Sequence, residues 1–206
     1  MDTLEIGTYT NGNERLVISY DEYHDDPRNW DNSGVMACAH NRYDLGDNDT
    51  SLDIIEAGSW LACETWLKEN AIVWLPLALY DHGGITMSVG TGGGWDSGQV
   101  GYIYAEKAKK WEFADCLVWG KKEIEHLRQT LIAEVEEYDQ YLRGECWRWS
   151  YETRTECHTC GKGEWKVVES CGGYLGQPDK ASIEEYGIKF DSGSAARFFY
   201  CAKAPR

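Results

Sequence analysis

Between Ile72 and Ala105 apolar and polar positions alternate in three runs separated by strong turn signals, the densest strand-forming stretch in the chain. In the first run Val73, Leu75, Leu77 and Leu79 fall on one face and Trp74, Ala78 and Tyr80 on the other, which predicts a strand covered on both sides. Pro76 has no N–H to give a ladder, so an edge position or a bulge is expected there. Asp81, His82, Gly83 and Gly84 supply a turn. Ile85, Met87 and Val89 then alternate with Thr86 and Ser88, and after the joint GTGGGWDSG the residues Val100, Tyr102 and Tyr104 share a face. The pattern predicts a three-stranded meander that serves as scaffold for the other elements.

Those elements have equally readable faces. Leu4 to Ile6 and Arg15 to Tyr20, around the turn-forming NGN, predict an N-terminal hairpin, and GVMACAH at 34–40 predicts a strand. Leu52, Ile55, Ser59, Ala62, Cys63, Trp66 and Leu67 recur at helical spacing behind Thr50 or Ser51 as cap, predicting a helix over 52–68. Ile124, Leu127, Leu131, Val135, Tyr138 and Leu142 form the stripe of a helix over 121–143, with Gly144 where a C-terminal cap glycine belongs. In 146–171, Cys157 and Cys160 are centred on the same point as Cys146 and Cys171, which predicts a hairpin. Paired about that centre, Arg148 faces Glu169, Trp149 faces Val168 and Glu152 faces Trp165. The expected fold is a single α+β domain over 1–206. Its antiparallel sheet, a meander plus hairpins, packs against two main amphipathic helices, and 146–171 protrudes as a cysteine-containing hairpin.

Composition changes this picture little, and charge changes it more. The 206 residues are 42% hydrophobic, with ten Trp and thirteen Tyr to fill a core. No apolar run approaches the ~20 residues of a membrane span, and the acidic N-terminus lacks a signal-peptide core, so a cytoplasmic protein is expected. Eight scattered cysteines suit reduced thiols. Of the net charge of −15, residues 1–60 hold −10, thirteen Asp or Glu against Arg15, Arg28 and Arg42. Such a field disfavours direct contact with nucleic acid or an anionic membrane and favours a basic protein surface; its plainer role is solubility.

Candidate chemistry is sparse. Asp21, His24, Asp25, Asp26 and Asp31 crowd one loop with Tyr23 and Trp30, as an oxygen-rich metal site or a recognition patch would, or as an acidic loop partly neutralised by Arg28. Asp47, Asp49, Ser51 and Asp53 mimic the start of a calcium loop, but Leu52 replaces its turn glycine and Gly58 its bidentate Glu. The glycine-rich joint has no P-loop lysine and opens no helix. Asp81 and His82 suit a turn for backbone reasons alone. The tip ECHTCGKG resembles half a zinc knuckle with Cys157 and Cys160 as thiolates, but a tetrahedral site needs four ligands. Eleven residues of strand separate Cys146 from Cys157, about 35 Å, so the outer cysteines of a straight hairpin cannot complete it. No cofactor is expected, zinc at Cys157 and Cys160 being the alternative, and no catalytic signature is present.

The segments YDEYHDDPRNWDNSGVMACAHNRYDLGD (20–47), WLPLALYDHGGITMSVG (74–90), WDSGQVGYIYA (95–105) and YDQYLRGECWRW (138–149) resemble a family of uncharacterised proteins encoded by bacteriophages and mobile elements. That family has no established reaction to carry over, and the ECHTCGKG tip departs from its pattern. The resemblance implies a phage accessory protein. Joined to the acidic N-terminal third, it suggests one that binds and inhibits a host nucleic-acid-binding defence complex, of the anti-CRISPR or antirestriction kind, by partial DNA mimicry. Asp21, Glu22, Asp25, Asp26, Asp31, Asp44, Asp47 and Asp49 would oppose lysines and arginines, with Tyr23 and Trp30 as anchors. Two alternatives stand beside it: a metal-dependent enzyme acting on nucleotides or nucleic acid through His24, Asp25 and Asp26 or through Asp81 and His82, and a phage regulatory or structural protein.

Overall fold

The computed structural model describes residues 5–47, 59–109, 120–156 and 163–176, and the backbone of 189–190 and 198–199. Among the described residues the fold is α+β, with two α-helices and two four-stranded antiparallel sheets. The chain divides into two compact units, residues 26–144 and residues 1–25 with 145–206.

The first of these units carries strands β3 (Val35–Cys38), β4 (Ala71–Asp81), β5 (Ile85–Val89) and β6 (Ser97–Glu106), in sheet order β3-β6-β4-β5, with helices α1 (Trp60–Asn70) and α2 (Lys121–Leu142). The predicted meander is thus rewired: β6 returns to pair with β4 instead of β5, as in Trp74 opposite Tyr104 and Leu75 opposite Ile103. A tight hairpin needs only 2–5 loop residues, and the longer glycine-rich joint gives β6 the reach to cross the end of β4. The result puts the doubly apolar β4 in an interior position, where both its faces can be buried. Pro76 lies in a central strand, not at an edge, but beside an irregularity of the β4–β6 register between Leu77 and Ala78, the expected alternative. Its carbonyl accepts from Gly90 N at 2.8 Å, where β5 ends, so the missing N–H costs at most one terminal bond.

Among the described residues each face of this sheet receives one helix. Val73, Leu75, Leu77, Leu79, Met87 and Ile103 pack with Leu127, Leu131, Val135 and Tyr138 of α2. Ile124, the first residue of the predicted stripe, stays exposed. On the other face Cys63 and Leu67 of α1 bury against Ala37, Tyr102 and Tyr104, with Trp66 edge-on to Tyr104 at 5.5 Å. The described part of α1 starts later than predicted, behind Ser59, whose hydroxyl accepts from Ala62 N; residues 50–58, with the predicted caps Thr50 and Ser51, lie outside the described residues. Gly144, with φ of 70°, ends α2 in the left-handed conformation that glycine adopts freely. Asp139 of α2 accepts from Met87 N at 2.7 Å, covering an outward N–H of edge strand β5.

The second unit is the sheet β1-β2-β7-β8, formed by β1 (Glu5–Asn11), β2 (Glu14–Tyr20), β7 (Cys146–Glu156) and β8 (Gly163–Leu175). A short ladder pairs β9 (Lys189–Phe190) with β10 (Phe198–Phe199). Both predicted hairpins form, and β2 pairs with β7 to join them. The register of the second differs from the cysteine-centred one: Trp149 faces Cys171, Tyr151 faces Glu169 and Glu152 faces Val167, with irregularities after Trp147 and Tyr151. Aromatic burial sets it. Trp147 stacks on Tyr174 at 4.6 Å, and Trp149 Nε1 donates to the Tyr174 hydroxyl at 3.2 Å, beside Leu16 and Ile18. Burying those rings outweighs any pairing that cysteine symmetry suggests.

Candidate functional site

The acidic residues singled out by sequence sort into two classes once their partners are known. Asp21 is buried at the end of β2. Its Oδ1 accepts from Tyr23 N at 3.2 Å and its Oδ2 from Gly173 N at 2.9 Å, while its own N–H donates to Cys146 O at 2.9 Å. It staples the loop after β2 to β7 and β8. The Nδ1 of His24 lies 2.5 Å from the Asp21 carbonyl, which fixes the ring. Glu22, Tyr23 and Asp25 are exposed in the same unit, Tyr23 by 79%.

In the other unit Asp26 caps a single 3-10 turn, Pro27–Asn29, and accepts from Arg28 N at 2.8 Å. Proline at the first position presets φ, and an Asp cap satisfies a turn amide that would otherwise lack a partner. The turn aims Arg28 inward, to a side-chain exposure of 3%. There its Nε and Nη2 donate to both oxygens of Asp47 at 2.7 and 3.1 Å, its Nη1 to Glu134 at 3.2 Å and its Nη2 to Gly34 O at 2.7 Å. Glu134 also accepts from Ser33 N at 2.7 Å and Asp47 from Met36 N at 2.8 Å. Burial lowers the pKa of the guanidinium, but its bonds to Asp47 and the charges of Asp47 and Glu134 outweigh that and hold it above its ordinary value. Arg28 therefore neutralises Asp47 and Glu134 inside the unit, not the loop acids beside it in sequence. Trp30, 43% exposed, and Asp31 emerge from the far side of the turn, with Asp44 exposed further along.

The proposed recognition residues are accordingly not one displayed row. Asp21, Asp26 and Asp47 hold loops in place, whereas Glu22, Asp25, Asp31 and Asp44 face solvent. Asp49, Cys157 and Cys160 lie outside the described residues.

Sequence reasoning missed a cleft of about 410 Å³ at the end of β4 and the start of β6, lined among others by His40, Asn41, Arg42, Asp81, Trp95 and Gln99. Arg42 is ion-paired with Asp81, which also accepts from the Tyr43 hydroxyl at 3.3 Å. His40 stacks on Tyr43 with ring centroids 5.0 Å apart. His82 Nδ1 lies 3.4 Å from Asp96 Oδ2. Trp95 is fully exposed, at 104%. The available signal was a tryptophan inside a glycine-rich joint, where no periodic face could take it into a core.

Among the described residues reactive groups are few. Burial, with Asp47 nearby, pushes the Cys38 thiol up to about 12, and burial, with Asp21 and Glu145 nearby, pushes Cys146 up to about 11. Such thiols are poor nucleophiles. Among the described residues no three His, Cys, Asp or Glu side chains converge as a metal-binding group, and no helix is long and apolar enough to cross a membrane. Comparison of the chain with protein-family models, curated proteins and solved structures finds no match.

Proposed function

We propose that this is a binding protein whose exposed carboxylates engage a basic surface on a partner protein, and that the partner is a nucleic-acid-handling defence complex whose phosphate-binding lysines and arginines they occupy. The observation that carries the reading is the pairing of solvent-facing acids with exposed aromatic rings: Glu22 and Asp25 flank Tyr23, and Asp31 adjoins Trp30. Exposed Tyr and Trp are the side chains that anchor interfaces, and surrounding charge steers the encounter and sets its specificity. Unit 26–144 supports it further, with twenty Asp or Glu against ten Lys or Arg. The resemblance to phage and mobile-element proteins supplies the choice of a defence complex as target. The metal-dependent alternative has less behind it, since His24 is turned to the Asp21 carbonyl and Asp81 is held by Arg42.

The test uses three acids that face solvent. A Glu22→Lys, Asp25→Lys, Asp31→Lys variant is compared with wild type for capture of a partner from bacterial lysate. The wild-type complex is expected to dissociate near 0.5 M salt and to be displaced by duplex DNA, and the variant to lose the partner at unchanged Tm. A partner retained by the variant, or bound simultaneously with DNA, overturns the proposal.

A further inference from the structure

The cleft at the end of β4 has a chemistry that the acidic binding surface does not use. From it we infer a second site, one that binds a neutral, polyhydroxylated ligand of the size of a short saccharide. Three observations lead there. Trp95 presents its whole ring to solvent beside the cleft, in a loop that is ordered by other means: Ser97 Oγ accepts from Gly93 N at 3.1 Å and from Gly94 N at 2.9 Å. A ring held out of the core on a fixed loop is a platform for an apolar ligand face, and the C–H face of a pyranose is one.

The polar lining is the second observation. Asn41 offers donors and an acceptor on one planar group, and the Arg42–Asp81 pair sets a fork of donors beside an acceptor. Adjacent sugar hydroxyls, each able to donate and accept, match such planar groups two at a time. The floor, Leu79 and Val100, is apolar and buried, and the volume of about 410 Å³ falls within the range of small-molecule sites.

Charge decides against the main competitor. A nucleotide could stack on Trp95, but its phosphates need uncompensated cations. Arg42 is answered by Asp81 and His82 by Asp96, in a chain of net charge −15.

Calorimetric titration of the full chain with maltotriose, cellotriose and chitotriose, and with AMP as the anionic aromatic control, tests the inference. At least one trisaccharide is expected to bind with Kd on the order of 1 mM or tighter. Trp95→Ala should weaken it at least tenfold at unchanged Tm, because that side chain buries nothing, while Trp30→Ala should leave it intact. Asn41→Leu should weaken it as well. Absence of binding to all three sugars, an affinity indifferent to Trp95→Ala, or tighter binding of AMP than of any saccharide overturns it. Since Trp30→Ala and the charge reversals leave this site whole, its failure and that of the acidic surface can be told apart.

Discussion

Replacing Arg28 by methionine keeps an unbranched stem of similar length and removes the charge at the centre of unit 26–144. Four donated hydrogen bonds disappear, two to Asp47 and one each to Glu134 and Gly34 O, and the side chains of Asp47 and Glu134, 23% and 10% exposed, lose their cation. Breaking a fully buried ion pair from one side costs about 3–5 kcal/mol, and the partial exposure of Asp47 places this one near the lower end, about 3 kcal/mol. At about 3 °C per kcal/mol for a protein of this size, Tm should fall by about 9 °C in a thermal melt followed by circular dichroism at pH 7. The deficit belongs to uncompensated carboxylates and not to lost packing. Adding Asp47→Asn and Glu134→Gln to Arg28→Met should therefore recover about half of it. An Arg28→Met protein melting within about 2 °C of wild type, or a triple variant no more stable than the single one, would refute the reasoning.

Further predictions follow from single features. Alkylation at pH 8 of native protein should spare Cys38 and Cys146, whose thiols burial pushes up to about 12 and about 11, and label the partly exposed Cys171 before either; mass-spectrometric mapping that finds Cys38 modified at the same rate as Cys171 contradicts the burial argument. Because both folded thiols hold their proton longer than the unfolded ones, their contribution to stability is constant below pH ~9 and is lost as the pH rises from there toward 12, visible as a falling Tm. Gly46→Ala should destabilise by at least about 2 kcal/mol in urea unfolding, since φ is +74° there and a Cβ would run into the Met36 carbonyl oxygen. Zinc analysis of protein purified without chelator should read well below one per chain, because the tip supplies two thiolates of a four-ligand site; a stoichiometric value that Cys157→Ser and Cys160→Ser abolish would overturn this.

How much of this was legible beforehand depends on the range over which each feature is decided. Helix α2 was readable because Leu127, Leu131, Val135 and Tyr138 repeat at the helical period and Gly144 follows them, signals confined to neighbouring residues. The two-faced burial of β4 was readable for the same reason, in its period of two. The side of β4 on which β6 lies was not, because every antiparallel order satisfies the same alternation and only the competition for buried neighbours chooses among them. Nor was the register of β7 on β8, which Trp147 and Trp149 settle by finding Tyr174, while the cysteine symmetry plays no part.

The same division runs through the candidate sites. Sequence by itself determined the α+β class, the amphipathic faces, and the excess of acid with two aromatic residues beside it, since composition and periodicity are properties of the chain. It could count Asp21, Asp26 and Asp47 but not see that backbone amides and Arg28 consume them, or that Asn41, Arg42, Asp81, Trp95 and Gln99 meet at one cleft. Only the tertiary structure decided those matters, because whether a carboxylate is displayed or spent depends on groups up to 152 positions away in the chain, as with Asp21 and Gly173.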